Sequence, residues 1–332
     1  MKISVIGAGS FGTAMAVVAA RYGNHVMLWA HDPRVSEEMR TTGTNAVYLP
    51  DIALGEQITP TSDLAEAAAF SDTLFMVVPS HHYRGVLTQL LPHLSGRISV
   101  ISGTKGIENQ TLERMSEVSK AVLGDAMRSF ATLSGPTFAV EAARGDPTVA
   151  VIASHDVEFA KTIQQAMSGS TFRLYHSDDV IGVELGGSLK NVIAISAGVL
   201  EGLGLGSNTN AALITRGLRE MTRLGMALGG RLETFAGLAG MGDLVLTCTG
   251  ALSRNRRVGV QLGRGKRLPD ILAETREVAE GVKTSKSAKD LSERHGIEMP
   301  ITTEMYRVLY EDETARSAIQ RLMTRTLKAE AV

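Results

Sequence analysis

A glycine-spaced turn at the head of the chain constrains the fold more than any other stretch. The hexapeptide "GAGSFG" sets Gly7, Gly9 and Gly12 in G-x-G-x-x-G spacing, directly after the strand-like "ISVI" and before the helix-like "TAMAVVAARYG". Each glycine answers a separate physical demand. Gly7 allows a tight strand-to-helix turn, Gly9 a close backbone approach to a pyrophosphate, and Gly12 close helix-on-strand packing. The helix N-terminus then faces the phosphates. Alone the hexapeptide is a weak signal, but in this strand-turn-helix setting it predicts a dinucleotide site rather than a purely structural turn.

The residues that follow continue the pattern. "HVMLWA" from His25, "TLFMVVP" from Thr73, "ISVISG" from Ile98 and "TVAVIAS" from Thr148 are short, rich in Val and Ile, and separated by helix-sized segments. Uniformly apolar strands of this kind predict a parallel sheet covered on both faces. "SFATLSGP" from Ser129 is a candidate for a further strand. After Ser177 strand-like runs cease and the segments have helical composition, so the second half is predicted to be all-helical. The boundary is expected between His176 and Gly187, drawn as 1–180 for dinucleotide binding and 181–332 for substrate binding and catalysis.

Composition narrows the function. A chain of 332 residues exceeds one ordinary hydrophobic core, which favours two domains. A formal net charge of -1 with dispersed basic residues argues against a nucleic-acid or anionic-membrane binder and for a small-molecule partner. The single Cys248 excludes an internal disulfide framework and a cysteine-built metal site, and the opening "MKISVIGAGS" is too glycine-broken for a signal segment. The expectation is a cytoplasmic protein. No window reaches about 18 uninterrupted apolar residues, so no membrane span is expected. His81 and His82 have no partner at metal-ligand spacing and read as pocket-lining or structural, so no metal is expected.

The tip of the second strand should read the adenosine ribose. Its apolar pattern puts Ala30 at the tip, followed by His31, Asp32, Pro33 and Arg34, whereas counting about twenty residues from Gly12 reaches Asp32. The apolar register is preferred, because a strand tip is set by its own pattern. Without an acid at the tip, NADP is favoured, read by His31 with Arg34 as a further candidate, and NAD remains allowed.

Four groups of residues can carry chemistry. Lys105 in "ISGTKGIE" follows a strand and should lie at the carboxyl edge of the sheet. Gly135, Pro136 and Thr137 in "LSGPTFAVE" read in isolation as a plain turn, though one whose backbone amide and hydroxyl could hold a substrate oxygen. "GMGDLVLTCTGALSRNRRVG" collects Asp243, Ser253, Arg254, Asn255, Arg256 and Arg257, and an arginine flanked by serine and asparagine donors suits a phosphate. Lys190 sits in "GGSLKNVIAISAG" among small and apolar residues, with Glu201 the next charge. It either snorkels to the surface or points into a cleft between domains.

Taken in order, "GAGSFGTA", "ISGTKGIE", "LSGPTFAVE", "GVELGGSLKNVIAISAGV", "FAGLAGMGDLVLTCTGALSRNRRVG" and "REVAEGVKTS" resemble the bacterial-type NAD(P)-dependent glycerol-3-phosphate dehydrogenases over nearly the whole chain. Ser188 and Phe11 are mild departures from the family's usual residues. The resemblance implies a Rossmann-like, doubly wound, mainly parallel α/β sheet and an all-helical C-terminal domain of the 6-phosphogluconate-dehydrogenase type. It implies reversible reduction of dihydroxyacetone phosphate to sn-glycerol 3-phosphate with NADP(H) or NAD(H), feeding glycerophospholipid synthesis, in a homodimer.

The resemblance also assigns residues. Lys190 would exchange the proton with the carbonyl oxygen, and Lys105, Gly135, Thr137, Lys190, Asp243, Ser253, Arg254 and Asn255 would surround the substrate. Gly7, Gly9, Ser10, Phe11, Gly12, His31, Lys105, Ala139, Arg254, Val278 and Glu280 would meet the nucleotide. Lys105 and Arg254 are expected to depress the pKa of Lys190 as like charges, with Asp243 opposing them. Two alternatives stand beside this reading: another two-domain dehydrogenase of the β-hydroxyacid kind, which binds a carboxylate, and a non-catalytic NADP(H)-binding sensor, which has no need of a buried Lys190.

Overall fold

A computed structural model describes residues 1–274, 278–327 and 329–330. Arg276 and Glu277, which open the "REVAEGVKTS" motif, lie outside the described residues. The strands are β1 (Lys2–Ile6), β2 (His25–Trp29), β3 (Thr44–Asn45), β4 (Leu49–Ala53), β5 (Ile58–Thr61), β6 (Thr73–Met76), β7 (Ile98–Ser102), β8 (Met127–Ser134), β9 (Thr148–Ala153) and β10 (Phe172–Ser177). Helices α1 (Ser10–Arg21), α2 (Pro33–Thr42), α3 (Leu64–Phe70), α4 (Ser80–Leu90), α5 (Met115–Leu123), α6 (Ala139–Arg144) and α7 (Val157–Met167) are interleaved with them.

Eight strands form one sheet in the order β10-β9-β8-β7-β6-β1-β2-β5, and β3 and β4 form a separate antiparallel hairpin. Neighbours in the large sheet run parallel except at the β8–β9 pair. Alternation along each central strand feeds two cores. Ile3, Val5, Phe75 and Ile101 enter the cluster with Met15, Val18 and Ile163, while Ile6, Leu74, Met76 and Val100 enter the one with Tyr83, Leu87 and Val118. Because β1, β2, β6, β7 and β8 point the same way, the turns that follow them gather at one carboxyl edge. The order reverses at β1, whose neighbours are β2 and β6, and such switch points are where ligands bind in open α/β sheets.

No strand follows Ser177 among the described residues. The helical half comprises α8 (Val180–Gly202), α9 (Ser207–Ala227), α10 (Leu232–Ala236), α11 (Asp243–Thr249), α12 (Arg254–Gly263), α13 (Leu268–Ala273), α14 (Glu280–Arg294), α15 (Pro300–Tyr310) and α16 (Ala315–Met323). Asp179 caps α8 by accepting the Gly182 N–H at 2.8 Å. Helix α8 is the axle of this half. Leu189, Ile193 and Ala197 pack into one core, and Val192, Ile195 and Val199 into another. It is the one described helix long and apolar enough to cross a membrane, but 94% of its most apolar stretch is buried within the protein, which makes it a core helix.

Gly198 and Gly202 of α8 face Gly259 and Gly263 of α12 so closely that a β-carbon at any of the four would overlap backbone of the other helix. A single π-helical turn, Leu238–Gly242, leads into Asp243, and Gly186 of α8 meets it at Ala239.

Candidate active site

Lys190 lies at the middle of α8, only 5% exposed. Its ammonium donates to Asp243 Oδ1 and, at 2.9 Å, to Thr247 Oγ1. The snorkelling alternative is therefore excluded: the side chain points inward. Asp243 opens α11, and Thr247 lies one turn later on the same helix, where its hydroxyl also donates to the Asp243 carbonyl at 2.6 Å.

The other oxygen of Asp243 receives Lys105 Nζ at 2.9 Å, from the loop after β7. Ser134 Oγ, at the end of β8, approaches that oxygen at 3.4 Å. Thus the sheet's carboxyl edge supplies one lysine, the helical half supplies the other, and both grip a single carboxylate. Thr104 Oγ1 donates to the Val78 carbonyl at 2.7 Å and so pins the Lys105 loop to the end of β6. The Lys105 ammonium also stands 5.6 Å from the centre of the ring of Phe11, in the first turn of α1.

Burial pushes the Lys190 pKa down to about 7, with the Asp243 charge opposing and the Lys105 charge assisting. Lys105 lowers it and Asp243 opposes, as expected, but the expected contribution of Arg254 is not found. Desolvation is the larger cause, and the Arg254 guanidinium donates to Ser10 Oγ at 2.5 Å. For Asp243, burial raises the pKa, but the charges of Lys105 and Lys190 outweigh it and hold the carboxyl below its ordinary value. The two cations and one anion leave the buried cleft positive, and Arg254 adds to that charge.

The remaining residues divide by location. Gly135, at φ 144°, follows β8, and a β-carbon there would come within 2.9 Å of Ala150 Cα, so glycine is required. Thr137 Oγ1 donates to the Gly135 carbonyl at 3.0 Å and closes that turn. Ser253 caps α12 by accepting the Arg256 N–H at 3.2 Å. Asn255 donates to Asn191 Oδ1 at 3.0 Å and accepts the Gly281 N–H at 2.9 Å. A serine hydroxyl that only accepts keeps its proton to donate, and an amide has a second N–H, so each retains a donor for a ligand.

At the glycine turn, Gly7 has φ 122° and its β-carbon would come within 2.9 Å of the Val77 carbonyl, while a β-carbon at Gly9 meets nothing within 4 Å. A β-carbon at Gly12 would overlap the Gly7 carbonyl. Ala30 is buried just beyond β2, and His31 is exposed with its ring edge-on to Trp29 at 5.8 Å. Asp32 lies past the tip and is engaged otherwise: it caps α2 and binds the Arg34 guanidinium through both oxygens, at 3.1 and 2.7 Å.

Ala139 starts α6 and packs with Phe11 on the first core. Val278 is exposed near the start of α14, and Glu280, its first residue, accepts both the N–H and the hydroxyl of Ser80 at 3.0 and 2.6 Å. Burial raises the pKa of Glu280. Thr247, Ser134, Asn191 and Ser80 are polar neighbours of the cleft that sequence reasoning did not single out. Thr247 was signalled by its four-residue spacing from Asp243, which puts both on one helix face. The other three carry no such local signal.

Residues 2–160 match the family described as NAD-dependent glycerol-3-phosphate dehydrogenase N-terminus, and residues 179–320 match the corresponding C-terminus. The chain is 54% identical to glycerol-3-phosphate dehydrogenase [NAD(P)+] of Geobacter sulfurreducens, covering 99% of this chain and 98% of that protein. It is 50% identical to the protein of the same name from Koribacter versatilis, over 98% and 97% of the two chains. The crystal structure of glycerol-3-phosphate dehydrogenase from Coxiella burnetii is similar with a TM-score of 0.94 at 41% identity, covering 98% of this chain and 99% of that one. A shared glycine turn alone would leave the family open, but matches spanning both halves do not: the chain belongs to the NAD-dependent glycerol-3-phosphate dehydrogenase family.

Proposed function

We propose that this chain reversibly reduces dihydroxyacetone phosphate to sn-glycerol 3-phosphate with NAD(P)H, and that the product enters glycerophospholipid synthesis in the cytoplasm. The observation that carries the reading is the buried pairing of Lys190 and Lys105 on Asp243. A non-catalytic sensor has no use for a desolvated lysine with its pKa near neutrality. A second copy of the chain completing a homodimer, and the functional division at 180/181, belong to the same proposal.

The glycine turn fits a dinucleotide. Gly9 leaves open space before the α1 N-terminus, and Ser10 and Phe11 flank it, so the turn, with Gly7 and Gly12 shaping it, would hold the pyrophosphate. Exposed His31 would meet the adenosine end, with Ala139, Val278 and Glu280 lining the cleft and Lys105 and Arg254 reaching both ligands. Bound NAD(P)H supplies the hydride that reduces the central carbon of the substrate. Lys190, protonated, gives its proton to the carbonyl oxygen as negative charge develops there, and it becomes the neutral amine. Asp243 and Thr247 hold the Lys190 nitrogen in place through this exchange, and Lys105 supplies a fixed positive charge beside the oxygen. Arg254, with donors from Ser253 and Asn255, binds the phosphate, while Gly135 and Thr137 close the cleft along the sheet edge.

Mixing the purified protein with NADPH and dihydroxyacetone phosphate tests this reading, through loss of the reduced-nicotinamide absorbance. Turnover with a 3-oxo acid and none with the phosphate ester would select the β-hydroxyacid alternative, and NADPH binding with no turnover on either would select the sensor.

A further inference from the structure

The "GTNAVYLP" stretch contributes the small β3–β4 hairpin, which is outside the large sheet. Its Asn45 is fully buried, and a buried amide is costly unless bonded. Both of its N–H groups are used: Nδ2 donates to the Ala8 carbonyl at 2.9 Å and to Thr13 Oγ1 at 2.8 Å. Its oxygen accepts the Tyr48 N–H at 3.2 Å. Asn45 therefore reaches from a peripheral hairpin into the back of the glycine turn and to the first turn of α1.

The consequence follows from peptide geometry. The Ala8–Gly9 peptide plane turns about ψ of Ala8 and φ of Gly9, and the glycine hinge leaves its tilt loosely set unless something outside the turn clamps it. The peptide is trans, which sets the Gly9 N–H opposite to the Ala8 carbonyl. A carbonyl held inward on Asn45 obliges the Gly9 N–H to face outward, toward the side where a phosphate oxygen needs donors. The Thr13 bond fixes the same amide against α1, so turn and helix N-terminus keep one relative orientation.

We infer that Asn45 is a positioning residue for dinucleotide binding, clamping the Ala8–Gly9 peptide so that its N–H is presented to the pyrophosphate; this rests on the dinucleotide reading of the glycine turn. Asn45 touches neither ligand. It acts through backbone, and its effect is confined to the part of the nucleotide that the turn holds.

The near-isosteric Asn45→Leu and the second variant Thr13→Val test it, with NADPH and adenosine 2′-monophosphate as probes; the latter has the adenosine end and no pyrophosphate. Asn45→Leu is expected to weaken NADPH binding by about tenfold, the worth of one hydrogen bond to a charged group, and to leave the monophosphate within about twofold on the same scale. KM for NADPH should rise while kcat and KM for dihydroxyacetone phosphate hold. Thr13→Val should move NADPH affinity about threefold in the same direction, since one clamp bond of two is lost, and it decides the matter if thermal unfolding shows that Asn45→Leu does not fold. Unchanged NADPH affinity in a folded variant, or equal loss for both probes, overturns the inference. Failure of the wild-type chain to bind NADPH removes the dinucleotide reading and the inference with it, and is told apart because it needs no variant.

Discussion

Lys105 and Lys190 hold the two oxygens of one buried carboxylate, Asp243, from opposite sides of the cleft. In the proposed mechanism the arrangement separates two roles that one lysine could not fill together. A group that gives up its proton loses its charge, so a second cation, not itself the donor, must keep the cleft positive for a phosphate ester. Burial tunes Lys190, and Lys105 remains in contact with Phe11 at the nucleotide side.

Replacing the donor tests its role directly. Lys190→Ala is expected to lower kcat by about 100- to 10,000-fold, the usual range for a positioned acid, with the KM for NADPH little changed. Steady-state kinetics on both substrates read this. Near-normal kcat with an unchanged pH profile would show that the proton comes from elsewhere.

The pH dependence has a definite sign. In the proposed mechanism reduction needs the Lys190 ammonium, so its kcat should fall as pH rises through about 7. Oxidation of glycerol 3-phosphate needs the neutral amine and should gain over the same interval. Paired pH profiles in the two directions check it, and parallel profiles would count against the assignment.

Asp243→Asn keeps the shape and removes the counter-charge. The buried Lys190 ammonium and the partly buried one of Lys105 then lack their partner, and the expected loss of stability is about 3–5 kcal/mol, as for other broken buried ion pairs. The Lys190 pKa should fall below about 7, because the charge that opposes desolvation is gone. The break in the reduction profile therefore moves to lower pH, which a stability effect alone does not produce.

At the adenosine end, His31→Ala should raise KM for NADPH by about 3- to 10-fold, a partly screened charge-assisted contact, and leave KM for NADH unchanged. Equal changes for the two nucleotides would mean that His31 does not read the 2′-phosphate. Asp32 serves a different purpose. Its carboxylate is held to about pKa 2 by the Arg34 hydrogen bonds, so it is charged and already committed to capping α2.

A further pH effect concerns stability. Glu220 on α9 accepts the N–H groups of Ile301 and Thr302 at 2.7 and 3.2 Å and so caps α15, and burial raises its pKa from 4.5 to about 7. In that interval the folded chain binds more protons than the unfolded one, so this group's contribution is full below 4.5 and is lost as pH rises through about 7. Glu220→Gln should abolish that slope in denaturant-unfolding curves while weakening the cap. A slope that persists in the variant would point to another group.

Much of the sheet was legible because β1, β2, β6, β7 and β9 are buried apolar runs of Val, Ile and Leu, the signature of central strands. What escaped lies at the margins. β10 reads "FRLYHS", alternating buried and exposed because it is an edge, and β5 reads "ITPT", with a proline that only an edge strand tolerates. The β3–β4 hairpin has too few residues for any period to show. The site was legible in a different way. Lys105, Lys190 and Asp243 stand out in the motifs, but their meeting is a contact between positions far apart in the chain, which spacing cannot encode. Asn45 was invisible for the same reason: nothing local connects "TNAVY" with the glycine turn.

The packing of α8 against α12 decides where the protein can yield. With backbone on backbone at Gly198, Gly202, Gly259 and Gly263, there is no layer of side chains to slide, and Lys190 and the "SRN" block ride on one stiff body. The two halves meet through polar pairs, Lys105 with Asp243, Arg254 with Ser10, Glu280 with Ser80, and Glu184 with Arg114 and Ser116, and through apolar packing of Ile107 with Leu185 and Leu189 and of Ala153 with Val180 and Val183. The α8–α12 contact is a weld: Lys190 on α8 and Arg254 on α12, the proposed proton donor and phosphate grip, are mounted on a single frame.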